Sequence, residues 1–67
     1  MQKIETETKF EIAYQEDPNV YGVLIEDPDN PGEPLLFNNN AAAEQYIAEH
    51  QELDPDKCHI FAIIIFL

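Results

Sequence analysis

The sequence predicts an α+β fold: a small single sheet of three to four strands, in the order β-β-(β)-α-β, with one helix packed on one face. Three observations carry this. Residues 3–15 alternate apolar or hydroxyl-bearing side chains with charged ones at a period of two, the mark of a strand with one buried face. An asparagine-capped stretch over 41–52 has apolar residues at helical spacing. The last nine residues, His59–Leu67, form an almost unbroken β-branched and aromatic run.

Taken in order, Ile4, Thr6, Thr8, Phe10, Ile12 and Tyr14 share the face expected to be buried, and Lys3, Glu5, Glu7, Lys9 and Glu11 share the other. Glu16-Asp17-Pro18-Asn19 is a turn, because proline presets φ and asparagine tolerates unusual dihedrals. A second strand follows over 20–26, apolar on both sides, so residues 3–26 form a β-hairpin. Three prolines and a glycine make 27–34 a loop. Leu35-Leu36-Phe37 is a candidate edge strand. Asn39 is the expected N-cap of a helix over Ala41–Glu52, whose inner stripe is Ala43, Tyr46, Ile47 and His50. Pro55 stops that helix before the final strand. There are no repeats, and residues 1–67 make one domain.

The closing strand sets the problem, because it is apolar on both faces and one helix covers only one of them. Two strand orders are open. If the last strand lies beside the second, Val20 and Leu24 merge with Phe61, Ile63 and Ile65 into an apolar patch on the face away from the helix. If it lies beside the first, that outer face borders Glu5, Glu7 and Glu11. The first order is preferred for its better apolar match. An uncovered patch of several hundred Å² marks an interface on a small protein. The sequence thus predicts a homodimer or a protein partner there, unless the 27–40 loop folds over it or Phe61 and Ile65 are simply exposed.

A chain of 67 residues buries only about 60% of the surface its unfolded state exposes. Its net stability is then ~3–10 kcal/mol. Fourteen acidic residues against three lysines and no arginine give a net charge of −11. That charge excludes direct binding to nucleic acid, which requires cations, and disfavours anionic lipid; partners are expected to be basic. Cys58 is the single cysteine, so no internal disulfide forms and a reducing compartment is expected. No basic-then-apolar leader is present, and the closing run is shorter than the ~20 residues needed to span a bilayer. The expectation is a soluble cytoplasmic protein.

Sites for chemistry are few. Asp27-x-Asp29 with Gly32 begins a calcium-loop register, but Pro31 and Asn38 stand where ligands are needed. His50, Cys58 and His59 lack zinc-ligand spacing, and Cys58 is not expected to have the strongly basic surroundings that would lower its pKa. Gly22 and Gly32 are the only glycines, so no phosphate loop exists. No cofactor, metal or catalytic residue is expected, and an enzyme is not. What remains is charge: Glu5, Glu7 and Glu11 on the first strand, Asp27 and Asp29 in the loop, Glu44 and Glu49 on the helix. If these gathered on one face they would approach the charge density of a nucleic-acid duplex; otherwise they are a solvated acidic surface.

A very small, acidic, arginine-free chain with a hairpin, the capped stretch FNNNAAAEQYIAEH and a closing strand resembles small proteins encoded by bacteriophages. Anti-CRISPR proteins and inhibitors of host RNA polymerase are among them. The resemblance implies stoichiometric, non-catalytic inhibition of a basic host protein, such as a nucleic-acid enzyme, in a bacterial cytoplasm by partial DNA mimicry. The alternative is a self-associating structural or accessory domain that dimerises through Val20, Leu24, Phe61, Ile63 and Ile65.

Overall fold

The computed structural model describes residues 3–67. The elements are β1 (Thr6–Tyr14), β2 (Val23–Leu24), α1 (Asn40–Glu49), a 3-10 turn (Pro55–Lys57) and β3 (Cys58–Phe66). They form one three-stranded sheet in the order β2-β1-β3, with β1 antiparallel to both neighbours. The α+β class is therefore as expected. The preferred strand order is not: the last strand lies beside the first.

Length explains the order. β1 and β3 pair along nine residues, from Thr6 opposite Phe66 to Tyr14 opposite Cys58. Regular pairing of β2 covers only Ala13–Leu24 and Tyr14–Val23. The second strand starts late because the hairpin opens early. The Gln15 amide donates to the Lys57 carbonyl rather than across the hairpin, and the Gln15 side chain donates to the Val20 carbonyl at 2.8 Å. Beyond β2, the Leu35 amide donates to the Ile25 carbonyl, and Phe37 exchanges both backbone hydrogen bonds with Phe10. The 35–37 segment thus edges β1 through an isolated bridge rather than as a full strand.

The loop between them closes on itself. The Asp27 amide donates to the Glu33 carbonyl, and the Asp27 carboxylate accepts from the Asp29 amide and the Asn30 side chain. Gly32 turns the chain at φ 91°, a left-handed conformation that glycine adopts without a Cβ clash.

Directly paired residues share a face. One face carries Thr6, Thr8, Phe10, Ile12 and Tyr14 with Phe66, Ile64, Ala62, Ile60 and Cys58. α1 lies here: Tyr46 meets Phe37 edge to face at 5.4 Å. The other face, called outer below, carries Glu7, Lys9, Glu11 and Ala13 with Ile65, Ile63, Phe61 and His59, and Leu24 beside Ala13.

Asn39 caps the helix as expected, its Oδ1 accepting from the Ala42 amide at 2.7 Å. The helix ends at Glu49, three residues short of the expected Glu52. His50 turns extended (φ −111°, ψ 91°), stacks on Tyr46 at 3.8 Å and donates through Nδ1 to the Tyr46 carbonyl at 2.7 Å. Its own amide also reaches the Tyr46 and Ile47 carbonyls, so the last turn is satisfied locally and the chain leaves the helix there.

A ten-residue helix is about 15 Å long, whereas nine-residue strands run about 30 Å. α1 therefore covers only the Cys58–Ile60 half of the β1–β3 ribbon. Ile12, Ala13 and Ala43 are the buried apolar residues among those described. Ile4, Thr6 and Thr8, expected inside, are exposed, with Ile4 77% accessible. The molecule is correspondingly long, 47 × 26 × 22 Å, with a radius of gyration of 13.6 Å. A typical chain of this length has about 11 Å.

Two stability changes follow. Ile12→Ala, at the one large side chain buried completely, should cost about 2–5 kcal/mol. Asn39→Ala should cost about 1 kcal/mol. Urea unfolding monitored by circular dichroism measures both as shifts in midpoint.

Candidate functional site

No helix among the described residues lies on the outer face of the sheet, which is closed only at its β2 end, where Ala13 is buried beside Gly22. On it two rows run side by side in register: Glu7 opposite Ile65, Lys9 opposite Ile63 and Glu11 opposite Phe61. Opposite side chains in such a pair stand about 5 Å apart at Cβ, so an acidic row borders an apolar one along the ribbon. Phe61 is 49% exposed, while Ile63 and Ile65 are half-buried. Lys9 pairs with Glu7 at 2.8 Å and donates to the Asn38 side-chain oxygen, so the ammonium and the Glu7 carboxylate offset each other within the row. Glu5 continues the row, and its carbonyl accepts from the Leu67 amide.

The candidate residues divide by location. Glu7, Glu11, Phe61, Ile63, Ile65 and Leu24 come together on the outer face. Val20 does not join them; it lies in the turn before β2, where its amide donates to the Asp17 carbonyl. Asp27 spends its carboxylate within its own loop, and Asp29 is exposed beside it. Glu44 and Glu49 stand on α1, on the other side of the sheet, with Glu49 accepting from Gln45 at 2.9 Å. The two acidic rows therefore flank the sheet from opposite sides, and the duplex-like density expected of one face is not assembled.

The helix-side face holds what the sequence did not show. Ile64 and Phe66, assigned there by alternation, are 64% and 73% exposed because α1 ends short of them. Between α1 and β3 lies a groove of about 390 Å³ lined by Glu44, Ile47, Ala48, Pro55, Cys58 and Ile60. The available signal was the mismatch between a short helix and long strands.

Chemistry finds little support in these positions. Cys58 and His59 point to opposite faces, and no group of three metal-ligating side chains occurs among the described residues. Partial burial, and secondarily the negative charge of Asp54, push the Cys58 thiol above its ordinary pKa, away from the nucleophilic thiolate. No helix among the described residues is long and apolar enough to cross a membrane.

No protein-family model, curated protein or solved structure matches the chain.

The raised thiol pKa has a checkable sign. The protonated thiol is favoured by the fold, so its contribution to stability is present at neutral pH and is lost as pH rises through the folded-state value. Alkylation of Cys58 by iodoacetamide at mildly alkaline pH should be slower in the native protein than in urea. Equal rates in the two conditions would contradict the assigned environment.

Proposed function

We propose that the chain is a non-catalytic binding protein that docks on a basic protein surface through the outer face of its sheet. One observation carries the reading: the acidic row of β1 and the apolar row of β3 share an uncovered face in register. Each row has a distinct task in such a contact. Glu5, Glu7 and Glu11 steer a cationic partner and set its orientation, while Phe61, Ile63 and Ile65 supply apolar area to be desolvated. The remaining acidic groups, at a net charge of −11, extend the attractive field to longer range.

Basic surfaces of the required kind belong to proteins that handle nucleic acid. The resemblance to phage-encoded inhibitors points the same way, toward a bacterial nucleic-acid enzyme held by occupancy of its binding surface. Mimicry in this geometry is partial, since one row of carboxylates presents fewer charges than a duplex backbone.

Immobilised protein exposed to a bacterial lysate tests the reading. A basic partner should be retained at low salt and released at high salt. Glu7→Gln with Glu11→Gln should slow its association about tenfold or more, and Phe61→Ala should weaken it by about 2 kcal/mol. Glu44→Gln with Glu49→Gln, on the opposite side, should change little. A partner lost equally with either glutamate pair, or indifferent to both, would contradict the assignment of this face.

A further inference from the structure

The free edge of β3 is a second surface, and its backbone geometry is specific. Phe10 and Ile12 turn their backbone groups toward Phe37 and Ile25. By the alternation of an antiparallel ladder, Glu7, Lys9, Glu11 and Ala13 turn theirs toward Ile65, Ile63, Phe61 and His59. Ile60, Ala62, Ile64 and Phe66 therefore aim their amides and carbonyls away from the sheet, where no described strand meets them. The Cys58 carbonyl joins that edge, while its amide donates to Pro55. Nine residues of outer strand without one Asp, Glu, Lys, Arg or Pro form the kind of edge that proteins normally protect.

We propose that β3 pairs antiparallel with β3 of a second copy, about a two-fold axis through Ala62, making one six-stranded sheet. In this register Ala62 faces its own copy, Ile60 faces Ile64, and Cys58 faces Phe66. Ile60, Ala62 and Ile64 have both backbone groups pointing outward and exchange two hydrogen bonds per pair, and at each end the free Cys58 carbonyl accepts from the Phe66 amide of the other copy. The axis keeps both helices on one side of the joined sheet. It places the exposed Ile64 and Phe66 of each copy beside Ile60 and Cys58 of the other, at the mouth of the groove lined by Ile47, Ala48 and Pro55. That groove opens toward β3, because Tyr46 occupies the opposite flank of α1 against Phe37. One surface is thus both the overhanging apolar tip and the cleft that lacks a filling.

Area and charge agree with a second copy as the occupant. The chain exposes 5346 Å² at 7.7 kDa, against about 4,300 Å² for a monomer of that mass. The excess, on the order of 1,000 Å², is close to the ~800 Å² each partner gives to a standard interface. β1 of each copy is the third strand from β1 of the other, so their glutamate rows stand about 14 Å apart. That is beyond the ~8 Å screening length at physiological salt. The pairing also closes on itself, since the opposite edge of each sheet is only the two-residue β2 and the Pro34–Phe37 bridges. It leaves the outer face described above open for its partner, and it stands whether or not that partner exists.

Sedimentation equilibrium of the purified chain tests the proposal, with three variants. The wild type should sediment at low micromolar concentration with twice its 7.7 kDa mass. Ala62→Pro removes only an outward-facing amide, which an edge strand tolerates, and should give a monomer with an unchanged circular dichroism spectrum. Phe66→Ser, at a side chain exposed in the single copy, should weaken the dimer at least tenfold without changing the fold. Glu11→Gln should leave it intact. A wild type that stays monomeric, an open series of larger species, or a dimer unmoved by Phe66→Ser would overturn the proposal. Should Ala62→Pro unfold, Phe66→Ser decides alone.

Discussion

Among the described residues β1 is the only strand with neighbours on both sides, and its nine-residue ladder to β3 is the interaction on which every other feature rests. β2 pairs with it over two residues, Phe37 touches it through one bridge, and α1 rests on one half of the ribbon it forms. The consequence is an economical but incomplete molecule. A ribbon about twice the length of its helix must show apolar side chains beyond the helix end, and on the outer face it leaves Phe61 half exposed and Ile63 and Ile65 partly so.

The two surfaces left open differ in kind. The outer face mixes carboxylates with aliphatic and aromatic side chains at the spacing of paired strands, which suits a partner that brings positive charge and a hydrophobic contact together. The free edge of β3 is uncharged and directional, and its unmet groups are backbone amides and carbonyls. Only another strand can satisfy these in a row. Charge makes the same division. Self-association along an edge flanked by apolar side chains keeps the β1 glutamate rows of the two copies apart.

The elements themselves were legible from local chemistry. Alternation along 3–15, the Asn39 cap and the β-branched run at 59–67 each report a property of neighbouring residues; the cap stands, and the two runs become strands over 6–14 and 58–66, with Ile4, Thr6 and Thr8 exposed rather than buried. The extent of the second strand and the end of the helix were not legible. They are decided by hydrogen bonds between residues distant from the local pattern, or stacked in a particular rotamer: Gln15 with Lys57, and His50 on Tyr46. Strand order is not legible in the sequence for a related reason. Matching apolar faces favoured the second strand as neighbour, but the length of continuous ladder on offer, nine residues against two, outweighs it. The acidic candidates were correctly placed on solvent faces. Which of them share a side depended on where the helix lies relative to β1, and charge patterning along a chain carries no information about that.

The claim at the centre of this account is that the second edge of β3 is paired in solution. Amide hydrogen exchange followed residue by residue by NMR tests it most directly. Phe61, Ile63 and Ile65 donate to β1 in a single copy and should be protected in any case. The account predicts that Ile60, Ala62 and Ile64 exchange as slowly as they do. An alternating pattern, with Ile60, Ala62 and Ile64 exchanging at unprotected rates between slow neighbours, would contradict it.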